Sequence, residues 1–161
     1  MSELPDIGQS IAPLLLRLPR EHQPLLIAVA ERMAAERYRA WAADPANAHD
    51  KAELLACAER EEEIARRIEG LYPDAAALQR SIVDENPGLD EINRSIFAGR
   101  SLPEQFTIQS RGERLGAATW RAFAAHAPNA DARATFLACA RLEEDSAVVL
   151  EMLLAGGGGA A

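Results

Sequence analysis

Glu31 to Glu69 reads ERMAAERYRAWAADPANAHDKAELLACAEREEEIARRIE, and Glu113 to Glu151 reads ERLGAATWRAFAAHAPNADARATFLACARLEEDSAVVLE. The two stretches align without a gap at a constant offset of 82 residues, and about half of the aligned positions are identical. Glu31 matches Glu113, Cys57 matches Cys139, Glu61 matches Glu143 and Glu62 matches Glu144. Each copy has the helical apolar period on both sides of a short break, Asp44 to Asn47 in the first and Ala127 to Asn129 in the second. A break that short makes the flanking helices antiparallel neighbours. The repeat therefore predicts two copies of one helical hairpin, and so an all-α chain built as a four-helix bundle.

Working outward, four long helices are expected, at about 21–43, 50–70, 102–126 and 130–155. Asp50 with Glu53 and Ser101 with Glu104 have capping-box spacing, and Gly70 and the run from Gly156 to Gly159 supply stops. Between the hairpins, residues 71–101 are long enough to cross the length of the bundle, with short helices expected at 74–84 and 89–98. A further helix over 7–18 is expected to lie across one end of the bundle. Its Leu14, Leu15 and Leu16 would cover the core or seat a partner subunit. This organisation gives one domain over 1–155, with repeats at about 21–70 and 102–155 and the crossover between them. The glycine-rich tail, 156–161, has no packing side chains and is expected to be flexible.

Composition narrows the classes of function. The chain has 161 residues, 48% of them hydrophobic, enough for one substantial core. A net charge of −8 lacks the basic footprint of a nucleic-acid binder. No apolar run reaches the ~18 residues of a membrane span, no signal-peptide pattern opens the chain, and the cytoplasm is the expected compartment. Two cysteines at equivalent helical positions are not a disulfide scaffold.

The glutamates interrupt apolar stripes. Leu54, Cys57, Ala58, Glu61, Ile64, Ala65 and Ile68 share one helix face, and Phe136, Cys139, Ala140, Glu143, Ala147 and Leu150 share another. Glu31 lies among Ile27, Ala28, Ala34, Ala35 and Tyr38, and Glu113 among Phe106, Ser110, Ala117 and Trp120. Glu31 and Glu61 are centred on position 46, and Glu113 and Glu143 on position 128, both inside the breaks. All four carboxylates are therefore expected to face inward at one level. Buried unpaired charge costs several kcal/mol per ion, so metal cations, protons taken up through raised pKa values, or bound arginine and water must compensate.

Glu31 to Trp41, Glu-Arg-Met-Ala-Ala-Glu-Arg-Tyr-Arg-Ala-Trp, is similar to the first helix of rubrerythrins and other ferritin-like proteins, where a metal-binding Glu precedes a Tyr by seven residues. Glu61-Glu62-Glu63-Ile64-Ala65-Arg66-Arg67 resembles that family's second helix, where Glu-x-x-His is followed by Ala and basic residues. The resemblance spans about residues 21–155. It implies a ferritin-like bundle with a dinuclear iron or manganese site used for iron oxidation or for oxygen and peroxide chemistry. It also implies a homo-oligomer, most often a dimer.

The chain departs from the family where the motifs should end in His, at Ile64 and Ser146. What remains is a layer of four glutamates, suited to hard, oxygen-preferring cations. Two cysteines cannot supply the four thiolates of the rubredoxin-like iron domain found in many rubrerythrins. Glu62 and Glu144 would be additional ligands or flank residues paired with arginines such as Arg66. Tyr38 and Trp120 would serve radical or electron transfer, or pack the core. His22, His49 and His126 fall in or near loops, and Glu36, among Arg32, Arg37 and Arg39, reads as solvated surface. Two functions follow: a metal protein in which Glu31, Glu61, Glu113 and Glu143 hold a dinuclear centre bridged by Glu61 and Glu143, or a metal-free scaffold for oligomers or partners, its glutamates protonated or bonded to Gln109 and Ser110.

Overall fold

In the computed structural model, which describes residues 3–157, every regular element is helical. Seven α-helices follow one another: α1 (Ile7–Leu15), α2 (Gln23–Ala43), α3 (Lys51–Glu69), α4 (Ala75–Glu85), α5 (Leu89–Phe97), α6 (Leu102–Ala125) and α7 (Ala130–Gly157). Among the described residues, none is long and apolar enough to cross a membrane.

The helix limits follow local chemistry. Ser101 accepts from the Glu104 amide while Glu104 accepts from the Ser101 amide, the expected capping box at the start of α6. Asp50 makes no such cap on α3. Its backbone, at φ −104° and ψ 7°, closes the turn after the 3₁₀ helix Pro45–Asn47, its amide donating to the Asn47 carbonyl, and is not in the extended region that aims a cap side chain at the following amides. Gly70 ends α3 in right-handed helical geometry, φ −62°, so it is not a left-handed stop. At the other end, α7 continues through Gly156 and Gly157, two residues past the expected limit. The remaining tail, 158–161, lies outside the described residues.

α2 packs along α3, α6 along α7, and α3 also against α7. Ion pairs fix the direction of the first two contacts. Arg32 on α2 meets Glu69 on α3 and, two turns on, Arg39 meets Glu62 further back along α3. Arg114 on α6 meets Glu151 on α7, and Arg121 meets Glu144. These four pairs occupy equivalent positions of the sequence repeat, and both contacts run antiparallel.

The apolar interior falls into three clusters, one on either side of the glutamates and a third where α1, α4 and α5 meet α2. On one side Ile64, Ile68, Trp120, Phe136 and Cys139 pack together. On the other side Tyr38, Trp41, Leu54, Cys57, Phe106 and Leu150 do so. The two free thiols therefore belong to separate clusters of the core, both buried. Burial pushes the Cys57 thiol up to about 11 and the Cys139 thiol to about 12, which keeps them protonated packing groups.

α1 does not cross an end of the long helices. It ends at Leu15 and lies along the flank of α6, because small residues let the backbones approach. A Cβ on Gly112 would stand 2.7 Å from Ile7 Cδ1, and one on Gly8 would collide with the Leu115 side chain. Of the three adjacent leucines, Leu14 is buried against Leu25, Leu26, Ile82 and Leu89, whereas Leu16 is 81% exposed.

Candidate functional site

The site is built from one glutamate on each long helix, with Glu31 8%, Glu61 0%, Glu113 1% and Glu143 2% exposed. One oxygen from each of Glu31, Glu61 and Glu143 lies within 4.8 Å of the others. Glu113 is not part of that trio. The Tyr38 hydroxyl donates to its Oε1 at 2.6 Å and Gln109 Nε2 donates to the same atom at 2.7 Å. The expected single layer is thus three converging carboxylates with a fourth anchored beside them.

Each member has different support. Trp120 Nε1 donates to Glu143 Oε1 at 2.8 Å, so both repeat-equivalent aromatics touch the site through a polar atom. Ser146, where the family motif would place a His, donates to Glu61 Oε1 at 3.2 Å. Ile64, at the equivalent position on α3, is a fully buried apolar side chain. Glu31 faces the carboxyl groups of Glu61 and Glu143, with one oxygen of each within 4.8 Å of the others. Glu61 Oε2 is buried with no hydrogen-bond partner, which is the costly arrangement for a polar atom.

Crowding of acids in a dry core makes ionisation difficult. Burial pushes the Glu31 carboxyl up to about 7, and the Glu113 charge adds to that. Burial, followed by the charges of Glu113 and Glu31, holds Glu61 well above the usual carboxylate range, and burial followed by the same two neighbours does so for Glu143. Carboxyl groups this close in a dry core are raised together, so without a cation protons must take up part of the charge. Tyr38 is held well above its ordinary value, first by burial and then by Glu113, and so remains a donor.

Space has been made for these groups. A Cβ on Gly116 would stand 2.7 Å from Glu143 Cδ and collide with its oxygens. Glycine at 116 therefore permits the inward Glu143 carboxylate. The repeat gave a signal, since the equivalent residue is Ala34, but reading it required the contact.

Glu62 and Glu144 lie outside the cluster. Glu62 accepts from Arg32 and Arg39, and Glu144 pairs with Arg121, while Arg66 pairs instead with Glu63. Glu36 is exposed and pairs with Arg39. Ser110 donates to the Thr107 carbonyl within its own helix, leaving Gln109 as the neighbour that meets a glutamate. His22, His49 and His126 are absent from the cluster.

Arg37 was not legible as a site residue. Its guanidinium donates to Gln109 Oε1 at 2.6 Å and to Asn93 Oδ1, and stacks 3.9 Å from the centre of the Phe97 ring. Burial lowers its pKa to about 10, against the opposing influence of Tyr38, Glu113, Glu61 and Glu31. Arg37, Gln109 and Asn93 line a cavity of about 120 Å³ that also reaches Glu31, Glu113 and Glu143.

Chemically, the arrangement can hold oxygen-preferring cations, or keep and release protons. A scan against protein-family models, a search of curated proteins and a search of solved structures each return no match to the chain.

Proposed function

We propose that the chain is a ferritin-like four-helix bundle of two duplicated hairpins, α2–α3 and α6–α7, that binds a dinuclear iron or manganese centre. Glu31, Glu61 and Glu143 would hold it, with Glu113 as the fourth carboxylate. The observation that carries the reading is Glu61 Oε2, an orphaned oxygen in a fully buried side chain that belongs to a trio of acids from three helices. Two further features support it. The sequence repeat keeps the same pair of acids in both halves, and glycine at 116 leaves room for the inward Glu143 carboxylate.

The donor set fits hard divalent cations: it is all oxygen, and its acids relinquish protons when a cation supplies the compensating charge. Such a centre, when bound, supplies iron oxidation or oxygen and peroxide chemistry. This chain's own residues would then set the ligand geometry, with Trp120 orienting Glu143, Ser146 orienting Glu61, and Tyr38 with Gln109 orienting Glu113.

A second reading is favoured by one specific observation, that one oxygen each of Glu31, Glu61 and Glu143 already lies within 4.8 Å of the others in a buried cluster whose carboxyls are hard to ionise. A protonated cluster of that kind can persist without metal, in a scaffold that serves oligomers or partners. Elemental analysis decides between the two, on untagged protein purified without chelator from cells supplied with iron or manganese. Two metal ions per chain are expected on the first reading, and none under either supply would overturn it and turn the search to protein partners.

A further inference from the structure

The 120 Å³ cavity beside the glutamates is close in size to the ~150 Å³ engineered cavity that accepts benzene. Its walls come from equivalent positions of the repeat: Ile27 and Gln109, Ala30 and Gly112, Ala34 and Gly116, Arg37 and Thr119. Small residues on α2 and α6 leave the space open, and Ile7, Ile11 and Leu15 of α1 close one side of it. The two copies have diverged in a way that gives the cavity direction. Arg37 and Gln109, hydrogen-bonded to each other and joined by Asn93, make one part polar. Their counterparts Thr119 and Ile27 face the same space without any charge.

Among the described residues, no carboxylate lies within ion-pairing distance of Arg37, and neither Arg37 Nε nor Asn93 Nδ2 donates to a protein acceptor. We propose that this cavity binds a small organic monocarboxylate, its head on Arg37 and Asn93 and its short branched tail among Ile7, Ile11, Leu15 and Ile27. The inference rests on the metal reading in one respect: with the four glutamates neutralised by two divalent cations, Arg37 is the charge left over. An anion is then the complementary occupant, and a guanidinium with a neighbouring amide is a strong carboxylate receptor in a low-dielectric cavity. The volume limits the tail to about that of isobutyrate, which has as many non-hydrogen atoms as benzene.

The test is calorimetric titration of isobutyrate into the full chain, once loaded with Mn²⁺ and once after chelation, with isobutyramide as the uncharged control of the same shape. The loaded chain should bind isobutyrate at least about tenfold more tightly than the amide, the difference expected of a charge-assisted contact. Arg37→Gln should erase that preference. Ala30→Leu, which fills the cavity from α2, should lose both ligands while circular dichroism and metal content match the parent. No isobutyrate binding by the loaded chain, equal binding of the amide, or full binding by Ala30→Leu would overturn the pocket and leave the metal reading intact. A chain that takes up no metal overturns the metal reading instead. In that case isobutyrate binding that both substitutions abolish still upholds the pocket, and its absence overturns both.

Discussion

The Tyr38 hydroxyl donates to Glu113 Oε1 at 2.6 Å, whereas Trp120, its equivalent in the second repeat, donates to Glu143 and not to Glu31. Strict equivalence would have given Glu31 an aromatic donor. The divergence leaves Glu31 without an aromatic donor, beside the Glu61 and Glu143 carboxyls, and concentrates neutral donors on Glu113, which also receives Gln109. The four carboxylates are thus alike in sequence and unlike in environment, and that difference generates distinct behaviour on substitution.

The doubly supported Glu113 should show non-additive losses. Tyr38→Phe and Gln109→Met each remove one of two donors to the same oxygen and should cost about 0.5–1.5 kcal/mol. The double substitution removes both and leaves a buried acceptor alone, so it should cost about 1 kcal/mol more than the sum of the two. Urea unfolding of the four proteins in a double-mutant cycle measures this, and simple additivity would refute the shared-acceptor account.

Stability of the metal-free chain should fall as pH rises. Glu31, raised to about 7, and Glu61 and Glu143, raised well above the carboxylate range, bind more protons folded than unfolded. Their contribution is fully present below the unfolded carboxylate value of ~4.5 and is lost as pH climbs through the folded values, at up to about 1.4 kcal/mol per group for each pH unit. Glu69, held low against burial by Arg32 and Gln79, acts oppositely and loses its contribution only as pH falls below its unfolded value. After chelation, the urea midpoint should therefore be higher near pH 5 than near pH 8. A midpoint that is flat or rises across that interval would show that the acids are not proton-bearing in the fold.

Periodicity alone located the four inward acids, because a fixed helical repeat determines which residues share a face. The predicted stripe on α3, from Leu54 to Ile68, is buried without exception. Arg37 escaped the same reading because Arg32, Glu36 and Arg39 around it make that stretch look solvated. What buries it is Asn93, Phe97 and Gln109 on α5 and α6, and no local pattern reports contacts between distant helices. The path of α1 was missed for a related reason. A short apolar helix has several places to dock, and the pairing of Ile7 with Gly112 and of Leu115 with Gly8 selected the flank. Ser146 and Ile64 were legible as departures from the rubrerythrin motif, but Ser146 as a donor to Glu61 depended on the α3–α7 contact.

Removing the central acids should separate proton storage from metal binding. Glu61→Gln with Glu143→Gln removes two hard-to-ionise groups while keeping their shape, so near pH 8 the metal-free chain should become more stable by about 1–4 kcal/mol. On the metal reading the same protein should take up no Mn²⁺ and lose the rise in melting temperature that Mn²⁺ gives the parent. Parent-like metal content in the double variant would eliminate the proposed ligand set.

Gly116→Ala tests the space behind Glu143. In an exposed helix interior alanine is favoured over glycine by about 1 kcal/mol, so propensity alone predicts a gain. Here the new methyl would stand 2.7 Å from Glu143 Cδ, and the carboxyl cannot retreat without leaving Trp120 Nε1 or pressing on Glu31. The clash should outweigh propensity and leave a net loss of about 1–2 kcal/mol, within the range for overpacked cores. Gly88→Ala is the control, because a Cβ there meets nothing within 4 Å and the residue precedes α5 at φ −86°. Trp120 also offers a direct readout, since a displaced carboxylate withdraws the acceptor from its indole N–H. Gly116→Ala should shift the emission of that buried tryptophan while Gly88→Ala leaves it unchanged. A stabilised Gly116→Ala protein with parental emission would mean that Glu143 has room to move, and that glycine at 116 is not what holds the carboxylate in place.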